Sequence, residues 1–162
     1  MKNASYNDYI FSINSLTKAD ITIIEAAINA LEYAYAPYSN FLVGAAVRLD
    51  NGQIITGANQ ENASYPLCMC GERVALYAAS MNQNKSDIDA LAIVAKNLSK
   101  RIEKPVPPCG ACRQVIQEYE MRQSSGIKIL LKGESDDVLI FNDISCLLPF
   151  SFDFSYLLPS TP

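Results

Sequence analysis

The chain of 162 residues contains no histidine. Histidine is the side chain that most often serves as a general base near neutral pH, and it is the commonest neutral zinc ligand. Any acid–base chemistry in this protein must therefore use a carboxylate, a cysteine, a lysine or a tyrosine.

The sequence also lacks long apolar runs and long basic runs. No apolar run approaches the length of a membrane span, and the N-terminus has no continuous apolar segment typical of a secretory signal. We therefore expect a cytoplasmic protein with no membrane partner.

Lysines and arginines are scattered and the formal net charge is −4. Because nucleic-acid affinity comes largely from neutralising phosphates, we expect a small, neutral substrate and no nucleic-acid partner.

Apolar residues make up 49% of the chain, which is enough for one packed domain without disulfide support. The number of cysteines is odd, and the expected compartment is reducing, so a disulfide framework is disfavoured. Clustered cysteines in such a chain indicate metal binding or redox chemistry. The five cysteines are Cys68, Cys70, Cys109, Cys112 and Cys146.

Apolar periodicity and turn signals predict a three-layer α/β/α sandwich around a mixed five-stranded sheet. We expect one domain over residues 17–162, with an apolar C-terminal tail, preceded by a loosely docked arm over residues 1–16. The predicted helices cover 18–35 (with Thr17 as N-cap), 70–82 and 110–122. The predicted strands cover 42–50 and 53–59 (joined at Asn51-Gly52), 90–95, 127–131 and 137–141.

Three cysteines fall at predicted helix starts, Cys70 at one and the Cys109/Cys112 pair at another. Helix N-termini favour thiolates, because their free N–H groups carry partial positive charge. Three thiolates could hold a tetrahedral metal and leave one position for water, as catalytic zinc does. Glu72, in the first turn after Cys70, could then shuttle protons.

Other interpretations of these residues stay open at this point. Cys68 could close a four-cysteine structural zinc site, and Cys109 with Cys112 could form a redox pair. Glu72 could merely complement the helix dipole. Arg73 and Arg113 could offset thiolate charge by donating hydrogen bonds to sulfur, or they could be solvated helix residues.

The run Cys70-Gly-Glu-Arg, followed by Pro-Cys-Gly-Ala-Cys-Arg-Gln at 108–114, resembles the signature of the zinc-dependent cytidine deaminase family. The stretches 35–47, 57–66 and 147–152 are also similar to that family, so the resemblance covers roughly residues 17–155. It implies a cytidine deaminase-like fold and the small homotetrameric class. One departure is Gly71, where the family usually has alanine.

The resemblance also implies roles for individual residues. It implies one Zn²⁺ per chain held by Cys70, Cys109 and Cys112, with Glu72 as the catalytic carboxylate. The implied substrate-binding residues are Phe41 beside the pyrimidine, Asn59 and Glu61 on the ribose, Tyr65 at a subunit boundary, and Phe152, which reaches a neighbouring subunit's site.

The function implied is hydrolytic deamination of cytidine and 2′-deoxycytidine in pyrimidine salvage. Two alternatives remain: a related deaminase acting on another amine, such as a nucleoside antibiotic, and a zinc-stabilised binding domain without catalysis. Editing of RNA or DNA is a weaker alternative because the chain is small and acidic.

Overall fold

Six strands form one mixed sheet in residues 6–82 and 86–157, the part of the chain that the computed structural model describes. In chain order the strands are β1 (Ile10–Ser12), β2 (Phe41–Leu49), β3 (Ile54–Ala58), β4 (Ile88–Asn97), β5 (Lys128–Lys132) and β6 (Asp137–Phe141). The α-helices of these residues are α1 (Lys18–Ala30), α2 (Gly71–Asn82) and α3 (Gly110–Met121).

The order of strands across the sheet is β1-β6-β5-β4-β2-β3. Strands β4 and β5 are parallel, and α3 lies in the crossover that joins them. All other neighbouring strands pair in the antiparallel sense. The sheet is therefore mixed, as expected.

The prediction of five strands is wrong, because the structure has a sixth strand, β1, at the sheet edge. Ile10 pairs with Leu139 of β6, and the amide of Ile13 donates to the carbonyl of Asp136 at 2.9 Å. A segment of only three residues is too short to show the alternation of apolar and polar residues that predicts a strand. Its strand conformation depends on pairing with β6. This strand lies within the segment 1–16 expected to form an arm. Residues 1–5 of that segment lie outside the described residues, as do residues 158–162 of the predicted tail.

The hairpin turn predicted at Asn51-Gly52 is confirmed. Gly52 has a φ of 87°, which glycine adopts without steric cost. The side-chain oxygen of Asn51 accepts a hydrogen bond from the amide of Gln53 at 2.9 Å. The turn joins β2 to β3 and fixes their register.

Helices pack on both faces of the sheet because the side chains of β2 alternate between them. Ala46 packs with Ile24 of α1 on one face. Val47 packs with Leu76 of α2 and Ile116 of α3 on the other face. Strand β4 is buried from residue 90 to residue 95, as a strand covered on both faces must be.

The first helix begins as predicted but ends earlier. The Thr17 hydroxyl oxygen accepts from the amide of Asp20 at 3.2 Å, so the predicted N-cap is confirmed. The α-helix ends at Ala30, and Leu31–Tyr33 form one 3₁₀ turn. The prediction of a helix to residue 35 is therefore too long, because apolar spacing alone does not separate a tight last turn from an α-helix.

The many apolar residues of the predicted helix 70–82 indicate burial nearly all round, but α2 is buried on one face only. Ala75, Leu76 and Ala79 are buried, but Tyr77 is 44% exposed and Met81 is 85% exposed. One face of α2 therefore packs on the sheet, and the other carries apolar side chains at the surface.

None of the helices in the described ranges has the length and hydrophobicity needed to span a bilayer.

Candidate active site

The N-terminal ends of α2 and α3 bring three cysteines together. Cys70 directly precedes α2, Cys109 is the N-cap of α3, and Cys112 lies in the first turn of α3. Their Sγ atoms all lie within 4.8 Å of one another, and those of Cys109 and Cys112 are 3.4 Å apart. Contact between the two helix ends therefore creates a compact set of three sulfur ligands.

Arg73 donates from Nη2 to the Sγ of Cys70 at 3.3 Å. The hydrogen bond with Cys112, opposed by burial and aided by Arg73, lowers the pKa of the Cys70 thiol to about 5. The same hydrogen bond with Cys70, together with burial, raises the pKa of Cys112. Cys70 is thus the first of the pair to ionise, and a preformed thiolate favours metal binding at neutral pH.

Arg113 does not make the contact with sulfur that was predicted for it. Its Nε donates to the carbonyl of Pro108 at 2.9 Å, and its Nη1 donates to the carbonyl of Leu147 at 2.9 Å. Both acceptors are main-chain oxygens that need a hydrogen-bond donor. Their two hydrogen bonds fix the orientation of the planar guanidinium group. Arg113 therefore fixes the segment before Cys109 to the C-terminal tail.

Glu72 lies in the first turn of α2 and is only 4% exposed. Its Oε2 has no hydrogen-bond partner among the described residues. Burial, and then the negative charge on Cys70, raise the pKa of this carboxyl, although its own backbone amide acts in the opposite direction. A buried, unpaired carboxylate oxygen is costly, which makes Glu72 a strong candidate for a group that handles protons.

The donor set fits zinc with an open coordination position. Thiolates are ligands that zinc prefers, and three of them leave the fourth tetrahedral position free. Cys68, the alternative fourth ligand, is engaged elsewhere. Its Sγ accepts from the amide of Asn62 at 3.2 Å and lies 3.6 Å from the carbonyl of the same residue. The cluster found in the described residues accordingly contains three cysteines.

A cavity of about 520 Å³ opens beside this cluster, which is a size typical of small-molecule sites. Its walls include two of the clustered cysteines, the carboxyl of Glu72 and three residues predicted to bind substrate. These lining residues are Cys70, Cys109, Glu72, Phe41, Asn59 and Glu61.

Asn59 and Glu61 are positioned by hydrogen bonds within the chain. Asn59 accepts from the amide of Val43 and donates to the carbonyl of Phe41, both at 2.8 Å. Glu61 accepts from the amides of Tyr38 and Ser39, at 2.9 and 3.3 Å, and from the Ser39 hydroxyl at 2.5 Å. The Ser39 hydroxyl and then the Tyr38 amide lower the pKa of Glu61, so it remains a carboxylate near neutral pH.

The structure does not bring Tyr65 or Phe152 into this cavity within one chain. Tyr65 is 69% exposed and contacts the ring of Tyr38 edge-on at 5.8 Å between centroids. Phe152 is 58% exposed and stacks on Tyr156, and its carbonyl accepts from Gln114 at 2.6 Å.

Sequence reasoning missed Ser39, whose hydroxyl orients Glu61. The two residues are 22 positions apart, and a serine after tyrosine in a turn has no distinctive signal. The same holds for Asn62, whose backbone engages Cys68.

Comparison with known proteins agrees with this geometry. Residues 17–125 match the family model of the cytidine and deoxycytidylate deaminase zinc-binding region. The cytidine deaminase of Halalkalibacterium halodurans is 43% identical over 130 residues, which cover 80% of this chain and 91% of that protein. The cytidine deaminase of Sporosarcina psychrophila is 39% identical over 137 residues, which cover 83% of this chain and 93% of that protein.

The fold is similar as well. The crystal structure of cytidine deaminase from Burkholderia pseudomallei aligns with a TM-score of 0.71 at 40% identity, covering 85% of this chain and 100% of that one. The matched region contains the three clustered cysteines and Glu72. The chain belongs to the zinc-binding cytidine and deoxycytidylate deaminase family.

Proposed function

We propose that this protein is a hydrolase that deaminates cytidine and 2′-deoxycytidine to uridine and 2′-deoxyuridine, with release of ammonia. The observation that carries the proposal is the buried Glu72 carboxyl, which lies beside three clustered thiols in a cavity large enough for a nucleoside and has one oxygen with no partner in residues 6–82 and 86–157. Two relatives that are 39% and 43% identical to this chain carry the name cytidine deaminase.

The cysteine cluster holds one Zn²⁺ per chain through Cys70, Cys109 and Cys112. When bound, the metal supplies a nucleophile at neutral pH, because it lowers the pKa of a coordinated water. The hydrogen bond from Arg73 offsets part of the negative charge that three thiolates bring to the site.

Glu72 carries the proton transfers in this proposal. Its raised pKa lets the carboxylate accept a proton from water and return it at neutral pH. It delivers that proton to N3 of the cytosine ring while the hydroxide left from the water adds to C4. It then transfers the proton of the new C4 hydroxyl to the amino group, which leaves as ammonia as the C4 carbonyl of uridine forms. One water is consumed for each ammonia released.

The sugar is held by Glu61 and Asn59. A carboxylate has about four acceptor positions, and hydrogen bonds within the chain occupy three of those on Glu61. The position that remains suits a single sugar hydroxyl, and ribose and 2′-deoxyribose both carry one at the 3′ carbon. This supports activity on both nucleosides, with Phe41 packed beside the base.

The proposal extends to a homotetramer that works in cytoplasmic pyrimidine salvage. Tyr65 and Phe152 are exposed and lie outside the cavity of their own chain. In the proposed tetramer, Tyr65 lies at a subunit boundary and Phe152 completes a neighbouring subunit's site.

The direct test incubates purified, zinc-loaded protein with cytidine and follows the loss of ultraviolet absorbance and the release of ammonia. Cytosine and adenosine serve as controls for the sugar and for the base. Turnover of cytidine with neither control supports the proposal. No turnover of cytidine or 2′-deoxycytidine by protein that holds one zinc per chain would refute it.

A further inference from the structure

One serine hydroxyl joins two sides of the substrate cavity. Ser39 lies in the turn before β2 and lines that cavity together with Phe41 and Glu61. Its hydroxyl accepts from the amide of Phe41 at 3.0 Å and donates to Oε1 of Glu61 at 2.5 Å. The residue expected beside the base and the carboxylate expected on the sugar are therefore connected through a single oxygen atom.

The two oxygens of Glu61 differ in how many acceptor positions they have left. Each carboxylate oxygen has about two such positions. The amides of Tyr38 and Ser39 occupy those of Oε2, at 2.9 and 3.3 Å, and the Ser39 hydroxyl occupies one position of Oε1. Among the described residues these are the groups that bond to the carboxylate, so one position on Oε1 remains for a ligand.

Asn59 is also partly occupied by the chain. Its Oδ1 accepts from the amide of Val43 and its Nδ2 donates to the carbonyl of Phe41, which leaves one N–H and one acceptor position. One sugar hydroxyl can accept from this N–H while it donates to Oε1 of Glu61. A second hydroxyl would find no free position on the carboxylate, and the neutral amide oxygen is a weaker acceptor than a carboxylate oxygen.

We propose that Ser39 is a specificity-determining residue, whose hydroxyl limits Glu61 to one sugar hydroxyl, so that the carboxylate contributes equally to the binding of ribose and 2′-deoxyribose. This role rests on the proposed function, because it concerns the nucleoside in the same cavity. Without the Ser39 hydroxyl, Oε1 would have two free positions. The 2′-hydroxyl of ribose, which neighbours the 3′-hydroxyl, would take the second, and 2′-deoxyribose has no group to place there.

Ser39→Ala removes the hydroxyl without releasing Glu61. Two backbone amides still hold Oε2, and the amide of Glu61 itself donates to the carbonyl of Tyr35 at 2.8 Å. The carboxyl also stays ionised at neutral pH, because loss of the Ser39 hydrogen bond only returns its pKa towards the ordinary value of 4.5. The amide of Phe41 loses its acceptor, but this loss affects both nucleosides equally and cancels in their ratio.

The test measures kcat/KM of the zinc-loaded enzyme on cytidine and on 2′-deoxycytidine. Calorimetry measures the binding of the products, uridine and 2′-deoxyuridine, which does not depend on catalysis. Ser39→Ala is compared with Ser39→Thr, which restores a hydroxyl, and with the matched control Ser80→Ala. Ser80 is an exposed serine on α2, outside the substrate cavity, and its hydroxyl donates to the carbonyl of Tyr77 at 2.8 Å.

Ser39→Ala should raise the ratio of kcat/KM for cytidine over 2′-deoxycytidine by about tenfold, as one added hydrogen bond to a charged group provides. Uridine binding should gain over 2′-deoxyuridine binding by the same factor, and the other two variants should keep the ratio of the parent.

An equal loss on both nucleosides, with the ratio unchanged, would show that Ser39 has a structural role alone. That result would overturn the specificity role and leave the proposed function standing. The same shift in Ser80→Ala protein would also overturn the specificity role. A zinc-loaded parent enzyme that turns over neither nucleoside would overturn both proposals.

Discussion

At the scale of single residues, the site depends on side chains that are buried without full partners. Glu72 is 4% exposed, and neither its Oε2 nor the Nε of Arg73 has a hydrogen-bond partner in the described part of the chain. Such groups cost stability in a folded protein and are retained where chemistry requires them.

Replacing Glu72 with glutamine should lower kcat on cytidine by about 10²- to 10⁴-fold, the usual contribution of a general acid–base group. Glutamine has the same shape but cannot carry a proton, so zinc content should stay at one per chain and the thermal midpoint should not fall. Kinetics with metal analysis measure both quantities.

The matched control is Glu25→Gln, at an exposed position on α1, which should retain full activity. A Glu72→Gln enzyme that turned over at the normal rate would show that another group moves the proton.

Cys68→Ser should leave the zinc content at one per chain. The Sγ of Cys68 bonds to the backbone of Asn62, and a serine hydroxyl can make the same contacts. Cys109→Ser is the comparison, and it should reduce zinc retention because it removes a ligand. Zinc release from Cys68→Ser protein in a chelator competition assay would support a four-cysteine site instead.

At the scale of elements, α2 approaches the end of the β2–β3 hairpin closely at Gly71. A Cβ on this residue would lie 2.7 Å from the carbonyl oxygen of Val43 and 3.1 Å from the amide nitrogen of Asn59. The glycine therefore permits a contact that positions Asn59, in addition to any loosening of the first helical turn.

Gly71→Ala should lower the free energy of unfolding by roughly 1–3 kcal/mol, because overpacking against rigid backbone outweighs the helix preference of alanine. It should also weaken cytidine binding, since the main chain of Asn59 must move. Gly110→Ala is the control, because a Cβ there meets no atom within 4 Å. Chemical denaturation of both variants distinguishes them, and equal stability of Gly71→Ala and the parent would contradict the steric argument.

A partly buried ion pair attaches the start of α1 to β5. Asp20, only 3% exposed, accepts from Lys128 Nζ at 2.7 Å and from the Thr17 hydroxyl at 2.8 Å. Burial alone would raise the pKa of Asp20. The hydrogen bonds from Lys128 and Thr17, together with the positive charges of Lys128 and Arg48, outweigh it and lower the pKa.

Asp20→Asn should therefore reduce the free energy of unfolding at pH 7 by about 2 kcal/mol, as expected for a hydrogen bond to a charged group. Because the pKa of the folded state is lowered, the contribution is complete above the ordinary value of 3.8 and disappears as pH falls below it. The difference between variant and parent should shrink in acid.

Asp89→Asn is the control, since its pair with Arg48 is half-exposed and should contribute less than about 1 kcal/mol. Urea titrations at several pH values measure both differences. A difference for Asp20→Asn that grew in acid would mean that the pKa is raised in the folded state.

At the scale of the whole molecule, apolar side chains are exposed on several elements. Tyr77 and Met81 project from α2, and Phe150 and Phe152 lie in the tail. Exposed apolar groups in such numbers favour association between copies of the chain. The proposed tetramer would bury them.

The assembly prediction is a particle of four times the 17.8 kDa chain mass in analytical ultracentrifugation. Phe152→Ala should then lower activity on cytidine more than it lowers stability, because the side chain would complete a neighbour's site. Phe11→Ala, an exposed aromatic on β1, should not do so. A fully active monomer would contradict the tetramer.

The sequence by itself determined the features that depend on local chemistry. The N-cap at Thr17 and the hairpin at Asn51-Gly52 follow from side-chain and backbone preferences within a few residues. The same is true of the positions of the three ligand cysteines and Glu72 at helix starts. Local preferences and spacing therefore predicted the main helices, five of the strands and the ingredients of a zinc site.

Only the tertiary structure decided which distant groups meet. Strand β1 exists because the edge of β6 offers it hydrogen bonds, and Arg113 donates to the carbonyl of Leu147 because the tail passes beside it. The loop that follows β4 takes its position from the β5–β6 turn, because Glu134 accepts a hydrogen bond from the amide of Ile102. These contacts join residues far apart in the chain, and their free energy depends on packing that no local pattern records.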